Sequence, residues 1–140
     1  MIKGKKRIFI FNAISFAILY GSVSFNKEIL RPQYGHNHFV GFLTGCFPNF
    51  IAAFIISLWF VNAVVVRKPK HDRLIVYISS VVVFVILAVE EIKPMWGVST
   101  YNDLFDIIAS GVGSLLAISV FEIIVSRRKN RSNKKVFIVK

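Results

Sequence analysis

The sequence predicts an all-α membrane bundle of four transmembrane helices, with both ends of the chain on the cytoplasmic side. Three observations carry that prediction. Of 140 residues, 55 % are hydrophobic and 18 % charged, and the mean hydropathy is +0.63, which is too apolar for an ordinary water-soluble domain. The apolar residues gather into four stretches, each close to the roughly 20 residues that cross a bilayer. The basic residues, finally, sit almost entirely on alternate connections between those stretches. The same composition excludes disordered and collagen-like classes. A single cysteine, Cys46, excludes an intrachain disulfide and any multi-cysteine metal site, and no cofactor is implied.

The first span, Ile8 to Phe25, is uncharged and follows the basic start Lys3, Lys5, Lys6 and Arg7. A cleaved signal peptide is the competing reading, since Ser22-Val23-Ser24 loosely imitates a small-residue cleavage site. The stretch nevertheless exceeds the roughly 7 to 15 residues usual for a signal core. The second span is Phe47 to Val66, expected to open near Pro48 because the first helical turn has no use for the missing N–H. The preceding Phe39 to Cys46 holds Gly41, Thr44 and Gly45 and is expected to lie in the interface or dip into the membrane. Leu74 to Val89 is rich in Val and Ile and could pass for a buried strand, but its length and neighbours favour a helix reaching about Ile92. The fourth span is Leu104 to Val125. Residues 127–140 form a basic tail, and its end, Val136-Phe137-Ile138-Val139, is expected to fray or rest on the inner surface.

The net charge is +11, and its placement explains it. Four Lys and Arg precede the first span, four lie between the second and third and seven follow the fourth, against two and one in the other connections. The positive-inside rule therefore puts both termini and the loop Arg67 to Arg73 in the cytoplasm. Affinity for anionic lipid headgroups at that face follows, and no nucleic acid is needed to explain the basic tail.

Acids within or bordering spans are costly and call for a reason. Glu90, Glu91, Asp103 and Asp106 lie within 17 residues, at the end of the third span, in the outer loop and at the start of the fourth. Simple helix chemistry accounts for part of this: acids favour a helix N-terminus, Asn102 or Asp103 can cap the fourth helix, and Trp96 and Tyr101 are usual interface aromatics. Asp106, Ser110 and Gly113 share one face of the fourth helix. Ala109, Gly113 and Ala117, each four apart, would let a neighbouring backbone approach closely.

Glu91 followed by Asp106-Ile107-Ile108-Ala109-Ser110-Gly111-Val112-Gly113 resembles the signature of VanZ-like membrane proteins. There a Glu closing one span is followed by Gln, Arg, and then an Asp, Asn and Gly stepping along the next. Phe47-Pro48-Asn49-Phe50 is similar to a Pro-centred segment opening an earlier span of many members. Pro94, Thr100 and Ser110 stand where the family has Gln, Arg and Asn, so the match rests on Glu91, Asp106 and Gly113. The resemblance implies a bacterial cytoplasmic-membrane protein of the cell envelope, in a family associated with resistance to the glycopeptide teicoplanin.

Other polar residues carry weaker signals. His36 and His38, with Cys46 or an outer carboxylate, have permissible zinc-ligand chemistry, but loop histidines at a membrane surface are usually solvated, so no metal is expected. Glu122 near Arg127 and Arg128 is expected to pair with a basic side chain. Asn12 and Asn62 could bond between helices. No catalytic motif occurs. The expectation is a non-catalytic envelope factor that binds or excludes a glycopeptide or lipid-headgroup ligand at the outer leaflet, with antibiotic tolerance as its outcome. Glu91, Asp106, Glu90, Asp103 and Ser110 would form its site, and association into a homo-oligomer is open. The alternatives are a small proton- or ion-coupled transporter component using the carboxylates, and an enzyme acting on a lipid headgroup.

Overall fold

A computed structural model describes residues 2–34, 37–92 and 104–138; Asp103, Trp96, Tyr101 and His36 lie outside them. Every element among the described residues is helical. Helix α1, Ile2–Phe25, runs into a π-helical turn, Asn26–Leu30, and then into the short α2, Arg31–Tyr34. The helical path thus continues nine residues beyond the expected end of the first span. Its geometry widens just before Pro32, which cannot donate to the preceding turn, and the Arg31 N–H accordingly reaches back to the Asn26 carbonyl.

Helix α3, His38–Arg67, starts at an N-cap, Asn37, whose side chain accepts from the Phe39 N–H at 3.2 Å. It passes straight through Pro48. The segment Phe39 to Cys46 is therefore the first part of this same helix, which does not open at Pro48. The physical reason is that donors from outside the helix take up the carbonyl that Pro48 releases. Lys68 ends α3 in the left-handed conformation, φ 50°, with its N–H on the Val64 carbonyl, and Pro69 follows. A short connection leads to α4, Asp72–Ile92, so α3 and α4 are antiparallel. Buried Val76, Ser80 and Val83 recur at helical spacing in α4, so the Val-rich run is a helix and not a strand. Helix α5, Leu104–Ile138, continues without a break through the basic tail as far as Ile138, so Val136 to Ile138, expected to fray or rest on the inner surface, are helical, and Val139 lies outside the described residues.

Helix α3 is the hub, packed against α1, α4 and α5, whereas among the described residues the backbone of α1 comes close to α3 alone of the long helices. At the end nearest the α3–α4 connection, Val61, Val64, Val76 and Phe121 form a buried cluster backed by Leu58 and Ile118. Elsewhere the interior is notably polar: Asn26, Ser57, Ser80, Ser110 and Ser114 are buried, while Phe9, Phe16, Val81, Val82, Ile86 and Leu115 face outward. Water would penalise that distribution and lipid would not, because between helices in hydrocarbon small and polar side chains do the packing. Among the described residues, four helices are long and apolar enough to cross a membrane.

Candidate functional site

Glu91 lies in the last turn of α4 and Asp106 in the first turn of α5. The ring of Phe84 faces Gly111, whose Cβ, were there one, would meet it at 3.4 Å. Glu91 is seven residues beyond Phe84 and Asp106 five before Gly111. In antiparallel helices those offsets are about 10 and 7.5 Å in the same direction, so both carboxylates stand at one level of the bundle. Glu91 is half-buried and accepts a hydrogen bond from Asn49 Nδ2 of α3 at 3.5 Å. Asp106 is half-buried too, with Oδ1 out of contact with solvent. Ser110 is buried, but its hydroxyl donates to the Asp106 main-chain oxygen at 3.0 Å, so it serves its own helix. Glu90 is half-buried beside Glu91, and Asp103 is outside the described residues.

Gly113, two turns along α5 from Asp106, sets how closely α5 approaches α3. It is buried, and a Cβ there would fall on the Phe50 carbonyl oxygen while coming within 3.0 Å of the Phe54 nitrogen and 3.1 Å of Ala53 Cβ. The α5 backbone is therefore pressed against α3 within one turn of Asn49. Ala117, one turn further along, is fully buried and Ala109 half-buried.

A second polar assembly sits one turn further out. Pro48 has no N–H for the Thr44 carbonyl four residues earlier. Asn26 Nδ2 donates to that carbonyl at 2.7 Å and Arg31 Nε at 3.3 Å, while Arg31 Nη2 reaches the Gly45 carbonyl at 3.2 Å. Asn26 is 0 % exposed, turned inward by the π-helical turn. Thr44 Oγ1 bonds back to the Val40 carbonyl at 2.9 Å. The consequence is electrostatic as well as structural, because a guanidinium is fixed over α3 at the same end of the bundle as Glu91 and Asp106. Sequence reasoning missed Asn26, Arg31 and Asn49. A mid-helix proline is itself the signal, since its orphaned carbonyl demands an outside donor.

At the opposite end, Glu122 accepts from Tyr77 Oη at 2.8 Å and from Arg73 Nη2 at 3.3 Å. Its basic partner thus comes from α4, whereas Arg127 and Arg128 are its neighbours in sequence. Arg128 donates instead to the Val65 carbonyl at 3.2 Å. Asn62 donates to Asn12 across α3 and α1 at 3.5 Å. Between the two ends, the buried hydroxyls of Ser57, Ser80 and Ser114 have no hydrogen-bond partner among the described residues. No group of three His, Cys, Asp or Glu arranged to hold a metal ion occurs among the described residues. Comparison of the chain with protein-family models, curated proteins and solved structures finds no match in any of the three.

Proposed function

We propose that the chain is a four-span membrane protein of the bacterial cell envelope with cytoplasmic termini, and that the outer end of its bundle binds a polar group of a lipid headgroup or an envelope glycopeptide without chemical turnover. The observation that supports this best is the shared level of Glu91 and Asp106, with Asn49 bonded to one of them and Arg31 fixed a turn away. Two carboxylates and a guanidinium present acceptors and donors together, which suits a zwitterionic or multiply hydroxylated group. The VanZ-like signature at Glu91, Asp106 and Gly113 points the same way, and antibiotic tolerance is the phenotype it implies.

The orientation has its own test. In a Cys46→Ser background, an impermeant thiol reagent applied to intact cells is expected to label a cysteine placed at Asn37 but not one at Lys70. The reverse pattern would invert the topology and move the site to the inner face.

For the site, Asp106→Asn and Glu91→Gln keep side-chain shape while removing charge. Losing a charged hydrogen bond costs about 1.5 to 3 kcal/mol, so each variant is expected to weaken ligand affinity by about 10- to 150-fold. At wild-type membrane abundance both should reproduce the deletion strain's sensitivity to envelope-active antibiotics. Ser110→Ala should be silent, because its hydroxyl is spent within α5. Wild-type tolerance in both carboxylate variants would discard the site.

The buried serines favour a second reading, a proton-coupled carrier, since Ser57, Ser80 and Ser114 lie between the outer carboxylates and Glu122 and intramembrane carboxylates commonly serve proton paths. Acid-pulse flux into vesicles holding the purified chain, abolished by Asp106→Asn, would establish that reading over the first.

A further inference from the structure

The end of the bundle remote from the carboxylates carries a feature that the outer site does not use. Helices α1 and α5 both pack on α3, while among the described residues their own backbones stay apart, which leaves a groove between them with α3 as its floor. Its volume is about 700 Å³, within the roughly 300 to 1,000 Å³ typical of small-ligand sites. Ile14 of α1, Leu58 of α3 and Val120 and Ile124 of α5 line it, and Lys6 and Arg7 stand at its mouth. Lys6, Ile10 and Ile14 recur every four residues, as do Arg7 and Phe11, so one face of α1 is basic at its start and apolar below.

Charge and depth together define the occupant. The lining holds two cations and no acid, and Arg128, outside the lining, is held nearby on the carbonyl of Val65, itself a lining residue. From Lys6 to Ile14 the helix rises about 12 Å, less than half of the roughly 30 Å hydrocarbon core, so the groove is confined to one leaflet. An anionic head above an apolar slot one leaflet deep is the form of a phospholipid, and basic pockets between membrane helices bind such headgroups. A second copy of the chain in the same orientation would bring Lys5, Lys6 and Arg7 to the same level, against like charge. We infer that the groove between α1 and α5 holds an acyl chain of an anionic phospholipid, with its phosphate between Lys6 and Arg7.

This inference is independent of the carboxylate site. It is tested by native mass spectrometry of the full chain in neutral detergent with phosphatidylglycerol or phosphatidylcholine. Wild type is expected to retain one phosphatidylglycerol per chain and to release phosphatidylcholine. Two basic side chains near a membrane surface are worth about thirtyfold in binding of an anionic lipid, the loss expected for Lys6→Gln/Arg7→Gln. Val120→Trp, which sets a bulky ring in the path of the acyl chain and leaves both cations in place, should sharply lower retention on its own and decides the matter if the double variant does not fold. Arg67→Gln/Lys70→Gln, outside the groove, should retain lipid as wild type does. Equal retention of both lipids by wild type, or undiminished phosphatidylglycerol on Val120→Trp, would overturn the inference. So would a lipid-free dimer cross-linked through Ile14→Cys in a Cys46→Ser background, which would make a second copy the occupant.

Discussion

Gly113→Ala is expected to lower the stability of the purified bundle by about 1 to 3 kcal/mol, the usual cost of overpacking a close contact. The added methyl would land on the Phe50 carbonyl oxygen, and the Phe54 nitrogen and Ala53 Cβ at 3.0 and 3.1 Å close off the directions in which it could turn. All three neighbours belong to α3, and two of the atoms are backbone, so the helices must separate. The effect runs against helix propensity, since Gly→Ala in an open helical position gains about 1 kcal/mol. Gly45→Ala is the matched control, because nothing lies within 4 Å of a Cβ there. Unfolding in a denaturing-detergent titration should therefore shift in opposite directions for the two variants. A Gly113→Ala protein as stable as wild type would mean that α3 and α5 are further apart than described. Because Asn49 precedes Phe50, the separation is also expected to weaken its bond to Glu91 and impair the site.

Asn26→Leu is expected to cost about 0.5 to 1.5 kcal/mol, the net worth of one hydrogen bond, since Arg31 Nε still reaches the Thr44 carbonyl, and Pro48→Ala should relieve much of that cost. Alanine at 48 restores the N–H that the Thr44 carbonyl lacks, after which the helix no longer depends on the Asn26 amide at 2.7 Å. A double-mutant cycle read by the same titration should give a coupling energy of about 0.5 to 1.5 kcal/mol. If Asn26→Leu costs the same with proline or alanine at position 48, the two residues do not serve one carbonyl and the account of the unbroken α3 fails.

Length and polarity are local, so the four apolar stretches were legible from their residues alone. Their bounds were less so. Placing the start of the second span at Pro48 followed a sound local rule, but the compensating donors, Asn26 and Arg31, lie 18 and 13 residues before the carbonyl they serve. The same holds for Asn49, whose partner Glu91 is 42 residues away. Glu122 was expected to find a cation and does, yet α4 supplies it as Arg73, because side chains five and six residues on along α5 are no substitute for one presented by the facing helix. The spacing of Ala109, Gly113 and Ala117 marked a close-packing face, while the structure alone made α3 the partner and Gly113 the tightest point. By itself the sequence determined that the protein is four apolar helices with acids gathered at one end and cations at the other, because hydropathy and charge are sums over neighbouring residues. Tertiary structure decided which polar group satisfies which, because a buried donor or acceptor is completed by whatever the packing brings to it across the bundle.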